Sequence, residues 1–131
     1  MLTKHQIQDY NNNGFIVIEE LLSKNEIIQT RDIIDQFIEK SREIKESDNI
    51  FDLEDNHSKN NPRLTRIKQP HLINNHFFNL IKNSQITKAL KDLLGNNILL
   101  KSSKLNTKFE KGGSAVEWHQ DWAFYPHTND D

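Results

Sequence analysis

The sequence predicts an α+β fold, with a helical first part (residues 1–95) and a strand-rich second part (residues 96–131). Helical start signals and one-sided apolar spacing dominate up to residue 95. Short apolar or alternating runs around a Gly-Gly turn dominate afterwards. Helices and strands do not alternate as they do in parallel-sheet proteins, and 131 residues is about the length of one domain.

The composition excludes several functional classes. A net charge of −2 provides no basic field for nucleic acid, and no apolar run approaches the roughly 18 residues that span a membrane. The first residues have no signal-peptide pattern, and the absence of cysteine leaves only His, carboxylate or water as metal ligands. We therefore expect a cytoplasmic protein without nucleic-acid or membrane partners. The oligomeric state is not predictable from the sequence.

Two capping boxes predict the starts of the first two helices. Thr3 and Gln6 start a short helix that ends at Gly14, where a left-handed cap is expected. Ser23 and Glu26 start a longer helix, whose apolar stripe continues to about residue 40.

The segments around and after these helices are less regular. The β-branched run at residues 15–18 predicts a buried strand. Residues 41–62 are too polar for a core and predict a mobile surface loop, either a lid or a disordered insertion, with an apolar anchor at residues 50–53. Alternation at residues 63–67 predicts a strand that Pro70 closes.

Two more helices and three strands are predicted in the rest of the chain. The helices cover residues 75–81 and 84–94, the second capped by Ser84 and ended by Gly95. The strands cover residues 98–100, 104–109 and 114–121, with residues 111–113 as the hairpin turn between the last two.

His119 and Asp121 are the residues that could bind a metal ion. On a β-strand, positions i and i+2 point to the same face, so the imidazole and the carboxylate would converge. One nitrogen and one oxygen ligand form two thirds of the 2-His-1-carboxylate triad of non-haem Fe(II) sites. The same spacing also fits an ordinary edge strand with a surface His and Asp. Nearby aromatic residues such as Trp118 and Phe124 favour the metal site, because they would limit water there.

The segment around this pair resembles the first iron motif of the phytanoyl-CoA dioxygenase family. The resemblance covers residues 116–131 (VEWHQDWAFYPHTNDD), and residues 13–18 resemble the opening segment of the family. Members are Fe(II)- and 2-oxoglutarate-dependent oxygenases with a jelly-roll (double-stranded β-helix) fold. The resemblance thus implies iron, 2-oxoglutarate as cosubstrate, O2 and a small organic substrate that is hydroxylated.

The family's functional positions can be carried over one by one. His119 and Asp121 would be the first two iron ligands. Asn106 and, by a looser match, Arg66 would contact 2-oxoglutarate. Three residues would line the substrate entrance, or else be packing aromatics and a loop histidine: Trp122, Tyr125 and His127.

The family's pattern continues to a second His, which is the third iron ligand, and to an Arg that pairs with the far carboxylate of 2-oxoglutarate. Both would follow residue 131. We therefore expect an incomplete domain: the N-terminal part of a jelly roll with packing helices, truncated after the first iron motif and inactive by itself. Four upstream histidines are expected on the surface: His5, His57, His71 and His76.

Two other classes remain open from the sequence. One is a catalytically inactive binding or interaction module derived from such an oxygenase, in which the pair is inherited and unused. The other is a cupin-type enzyme, although the short histidine cluster typical of cupins is not found here.

Overall fold

The computed structural model describes residues 1–110 and 113–124, and within them the chain has an α+β fold. Five α-helices surround a three-stranded antiparallel sheet of order β1-β2-β3 in this part of the chain. The elements are α1 (Lys4–Asn13), α2 (Lys24–Ser41), β1 (Phe51–Leu53), β2 (Leu64–Lys68), α3 (Pro70–Ile73), α4 (Asn75–Ile81), α5 (Ser84–Leu94), β3 (Lys104–Asn106) and a 3-10 helix (Asp121–Phe124). None of the described helices has the length and apolar character required to cross a membrane.

Both predicted capping boxes are present. In α1, the Gln6 N–H donates to Thr3 Oγ1 at 3.2 Å and the Thr3 N–H donates to Gln6 Oε1 at 2.9 Å. In α2, Ser23 and Glu26 make the same reciprocal pair at 3.2 and 2.7 Å. Gly14 ends α1 with a φ of 78°, which glycine adopts at little cost. These predictions are confirmed.

Two of the later helices agree with the sequence apart from one cap, whereas the single turn of α3 was not predicted. The bounds of α4 and α5 are those predicted. The cap of α5 is Asn83 rather than Ser84, because the Asn83 side chain accepts a hydrogen bond from the Gln85 N–H at 2.8 Å. Gly95 ends α5, and Pro70 ends the extended segment of β2 by starting the single turn of α3.

The sheet includes a strand that the sequence did not reveal. Within residues 41–62, predicted as a surface loop, Phe51 is buried and starts β1, opposite Ile67 of β2. The loop prediction is wrong there because pairing with β2 satisfies the backbone of an otherwise polar segment. The predicted strand at residues 63–67 is confirmed as β2.

A β-bulge in β2 decides which side chains face the core. Arg66 is opposite Asp52, but the next pair along β1 is with Leu64, so Thr65 is an extra residue on β2. Because of this extra residue, Leu64 and Ile67 are both fully buried although they are three positions apart.

The core lies between the sheet and two helices. Phe37 of α2 stacks on Phe77 of α4 at a centroid distance of 6.2 Å and meets Phe51 edge-on at 6.0 Å. Leu64 and Ile67 complete this buried cluster. Burying side chains of this size contributes about 1.5–3 kcal/mol each to the free energy of unfolding, so the inner face of the sheet is firmly positioned.

Three predicted strands are absent from the described residues: those at 15–18, 98–100 and 114–121. Residues 15–18 have no paired neighbour in the described part of the chain, and Phe15 and Val17 are exposed rather than buried. Residues 98–100 instead line an apolar cavity beside α4 and α5. The strand predicted at 104–109 is confirmed only over β3, and residues 111 and 112 of the predicted hairpin turn lie outside the described residues.

Candidate metal and cosubstrate site

A cavity of about 340 Å³ lies on the face of the sheet that points away from the core. Leu105 packs against the core, so its neighbours Lys104 and Asn106 on β3 face the other side. Three residues of the sheet and four residues of the segment 116–124 line this cavity: Arg66, Lys104, Asn106, Val116, His119, Asp121 and Phe124.

His119 and Asp121 lie close together, although they are not on a strand. His119 is in an irregular segment and Asp121 starts the 3-10 helix, yet His119 Nε2 is 3.2 Å from Asp121 Oδ1. The geometric reason given for the spacing, two side chains on one face of a strand, is therefore wrong. The convergence that it predicted is found.

The orientation of the His119 ring suits a metal ligand. Nδ1 lies 2.6 Å from the carbonyl oxygen of Glu117, and a carbonyl can only accept, so Nδ1 carries the proton. In the neutral imidazole this leaves the lone pair on Nε2, the atom that faces Asp121. The Phe124 ring meets the imidazole edge-on at 5.5 Å and restricts its rotation.

The residues predicted to contact 2-oxoglutarate form the opposite wall. Arg66 and Asn106 are cross-strand partners in β2 and β3, and Arg66 Nε donates to Asn106 Oδ1 at 3.3 Å. Arg66 Nη1 is also 3.7 Å from Asp52 Oδ2 on β1. The guanidinium group is thus held from both neighbouring strands, at the edge of the cavity that contains His119 and Asp121.

Hydrogen bonds attach the segment before His119 to the sheet. Thr65, the extra residue of the bulge, is 3.0 Å from the Ser114 hydroxyl through its own hydroxyl. Lys108 donates to the Ser114 carbonyl oxygen, and Thr107 donates through its hydroxyl to the Leu64 carbonyl oxygen. The bulge therefore connects the core side of β2 to the segment that carries His119 and Asp121.

The donor atoms fit Fe(II) at two positions. A neutral imidazole nitrogen and a carboxylate oxygen are the ligand types of non-haem iron sites, and both are accessible from the cavity. Among residues 1–110 and 113–124, no group of three or more His, Asp or Glu side chains could hold a metal ion.

Of the three residues predicted to line the substrate entrance, one lies among the described residues. Trp122 lies on the same 3-10 helix as Asp121, with more than half of its surface exposed. Tyr125 and His127 lie outside the described residues. The sequence interpretation missed Lys104, although it stands two positions before Asn106 and so shares its face of β3.

The upstream histidines correct one further expectation. Three of the four are half-buried and hydrogen-bonded rather than surface residues: His57, His71 and His76. His57 Nδ1 accepts from the Arg63 N–H at 2.9 Å, and its Nε2 lies 3.1 Å from the Ser41 carbonyl oxygen. These histidines join secondary-structure elements and lie apart from the cavity of His119.

A His–carboxylate pair that faces an Arg and an Asn across one cavity defines a candidate iron- and oxoacid-binding site. Comparison with known sequences places the chain plainly: it belongs to the phytanoyl-CoA dioxygenase (PhyH) family, whose sequence profile matches residues 10–131. The prediction of this family is confirmed.

The chain is similar to three curated relatives. It is 33% identical over 126 residues to a probable alpha-ketoglutarate-dependent hypophosphite dioxygenase of Stutzerimonas stutzeri. The aligned region covers 96% of this chain and 44% of that relative. It is 19% identical over 129 residues to an ectoine dioxygenase of Streptomyces avermitilis (98% of this chain, 41% of the relative). An ectoine dioxygenase of Streptomyces anulatus is 19% identical over 124 residues (95% and 39%). The chain thus spans less than half the length of these relatives.

Proposed function

We propose that the protein is an Fe(II)/2-oxoglutarate-dependent dioxygenase that hydroxylates a small substrate with O2. One observation carries the proposal: the His119–Asp121 pair lines the same cavity as Arg66 and Asn106. Membership of the phytanoyl-CoA dioxygenase family supports it, as does the alpha-ketoglutarate dependence named for one relative.

In this proposal His119 Nε2 and the Asp121 carboxylate hold the metal ion, and the third ligand comes from outside the described residues. Bound Fe(II), together with 2-oxoglutarate and O2, supplies the oxidising power that the side chains of the protein lack. The Glu117 carbonyl keeps the proton on Nδ1 of His119, so Nε2 stays available as a ligand. Asp121 contributes the negative charge that retains a divalent cation.

The sheet wall binds and orients the cosubstrate. Arg66 presents a planar guanidinium group that suits a carboxylate, and its contacts with Asp52 and Asn106 reduce the side-chain entropy lost on binding. Val116 and Phe124 line the same cavity with apolar surface.

We also propose that residues 1–131 form the N-terminal part of a jelly-roll domain, with the distal His and the 2-oxoglutarate-binding Arg in further sequence. Two observations support this: the antiparallel β1-β2-β3 order, and the share of the relatives that the chain spans. β1 and β2 join β3 across the boundary predicted at residue 95, so the helical and strand-rich parts fold together.

The test measures succinate formed from 2-oxoglutarate by the complete natural protein with Fe(II) and ascorbate. The wild-type protein and a Glu117→Gln control, which keeps the backbone carbonyl, should turn over 2-oxoglutarate. His119→Ala and Asp121→Ala should not. Turnover that survives both substitutions would contradict the proposal. If the wild-type protein binds neither metal nor 2-oxoglutarate, the inactive interaction module becomes the better interpretation.

A further inference from the structure

Lys104 is a cation in the candidate site that has no anionic partner among the described residues. It lines the cavity together with His119 and Asp121, and it is exposed. Throughout residues 1–110 and 113–124, no carboxylate lies within ion-pair distance of its ammonium group.

The position of Lys104 on the sheet is electrostatically unfavourable. It stands directly opposite Lys68 in the β2–β3 register, and like charges in such cross-strand pairs destabilise a sheet. Lys68 itself is compensated, since its ammonium group is 2.6 Å from Asp52 Oδ1 and donates to the Asp48 carbonyl oxygen at 2.8 Å. Asp52 also faces Arg66, so this one carboxylate already serves two cations.

The apolar neighbours of Lys104 in the cavity do not compensate its charge. Val116 and Phe124 line the same cavity, are each more than half exposed and carry no charge. The Asp121 carboxylate in the same cavity lies 3.2 Å from His119 Nε2, and in the proposed function these two groups would hold the metal ion.

The two cations of the cavity differ in the shape of anion that they suit. Arg66 is planar and held by Asp52 and Asn106, which fits one fixed carboxylate. The ammonium group of Lys104 is a compact point charge on a flexible stem, which accepts a small anion from several directions.

We propose that the substrate of this site is a small oxyanion and that Lys104 binds its charged group beside the metal-binding pair. This inference rests on the proposed dioxygenase function and adds the class of substrate. The oxyanion can be a carboxylate or an oxyanion of phosphorus, since both present compact, singly charged oxygens to the ammonium group.

The experiment uses the complete natural protein, loaded with Fe(II) under anaerobic conditions. Calorimetric titration measures the affinities for 2-oxoglutarate and then, with 2-oxoglutarate bound, for sodium hypophosphite and sodium acetate. Lys104→Met should weaken binding of the preferred oxyanion about tenfold or more, as expected for the loss of one charge-assisted contact. Its affinity for 2-oxoglutarate should stay within about twofold of wild type.

Two further variants serve as controls. Lys104→Arg keeps the charge and should retain most of the oxyanion affinity. Lys101→Met removes an exposed lysine just before β3, which does not line the cavity, and should change neither affinity. Circular dichroism confirms that each variant is folded.

Each result decides the inference. Preference for hypophosphite or acetate identifies the kind of oxyanion. Equal oxyanion binding by wild type and Lys104→Met, or no oxyanion binding by wild type, would overturn the role of Lys104 and leave the dioxygenase function standing. Weaker 2-oxoglutarate binding in Lys104→Met would assign Lys104 to the cosubstrate instead. Failure of the wild-type protein to bind 2-oxoglutarate at all would overturn the proposed function, and this inference with it.

Discussion

The ion pair between Arg63 and Glu54 tests how the sheet beneath the site is stabilised. Arg63 Nε lies 2.6 Å from Glu54 Oε2, and the two side chains are only 11% and 7% exposed. The guanidinium group also lies over the Phe109 ring at 4.9 Å. Glu54 Oε1 and Arg63 Nη2 are buried without a hydrogen-bond partner in the described residues. Each charge is therefore compensated mainly by the other.

Substituting Arg63 by Met keeps much of the alkyl chain and leaves the Glu54 carboxylate buried without its cation. We expect the free energy of unfolding to fall by about 3–5 kcal/mol, because removing one partner of a buried pair leaves an uncompensated charge. Adding Glu54→Leu should recover most of this loss, since replacing both charges by apolar groups is often neutral. The two substitutions should thus be strongly non-additive.

Urea unfolding followed by circular dichroism measures these changes. Arg42→Met is the matched control: Arg42 and Glu39 are also 2.6 Å apart, but their side chains are 33% and 62% exposed. Water screens that pair, so its loss should have a far smaller effect. Equal losses for Arg42→Met and Arg63→Met, or a loss below about 1 kcal/mol for Arg63→Met, would refute the reasoning from burial.

Three more predictions follow from the site and the helix caps. His119→Ala and Asp121→Asn should each weaken Co(II) binding about tenfold or more in anaerobic absorption titrations, and unchanged affinity would contradict the ligand assignment. Hydrogen bonds from Ser23 hold the pKa of Glu26 below its ordinary value, so their stabilisation is present above about pH 4.3 and is lost as the pH falls towards the lowered pKa. Glu26→Gln keeps the capping geometry without the charge, so its melting temperature should lie below wild type at neutral pH and converge with it in acid; a constant difference would contradict this. Lys104→Met should raise the free energy of unfolding by about 0.2–1 kcal/mol in urea titrations, because the cross-strand pair of like charges disappears.

The helices could be predicted from the sequence because their start and stop signals are local. A capping box needs only a residue pair three positions apart, as at Thr3 and Gln6 or at Ser23 and Glu26. The end at Gly14 needs only one residue that tolerates a positive φ. No knowledge of distant contacts is required for these features.

The strands were predicted poorly because a strand requires a partner. Residues 15–18 have strong β propensity but no paired neighbour in the described part of the chain, so they form no strand, and Phe15 and Val17 are exposed. Residues 51–53 form a run of only three residues in a polar segment, yet they pair with β2. Propensity describes how a residue fits a sheet and does not indicate where the sheet is.

The sequence prediction of the site is only partly reflected in its geometry. His119 and Asp121 lie 3.2 Å apart, but the strand from which their convergence was predicted is absent, and their role as metal ligands stays a prediction. Lys104 was missed because its location depends on the register between β2 and β3, which brings it opposite Lys68. That register is set by non-local pairing.

The bulge at Thr65 explains why one short sheet can serve both the core and the site. In a regular strand Leu64 and Arg66 would share a face, and burying Leu64 would direct Arg66 towards the core as well. The extra residue breaks this alternation, so Leu64 and Ile67 are buried while Arg66 lines the cavity beside Asn106. The position of the Arg66 side chain is therefore a consequence of core packing. A change that removes the bulge would move Arg66 out of the cavity without altering His119 or Asp121.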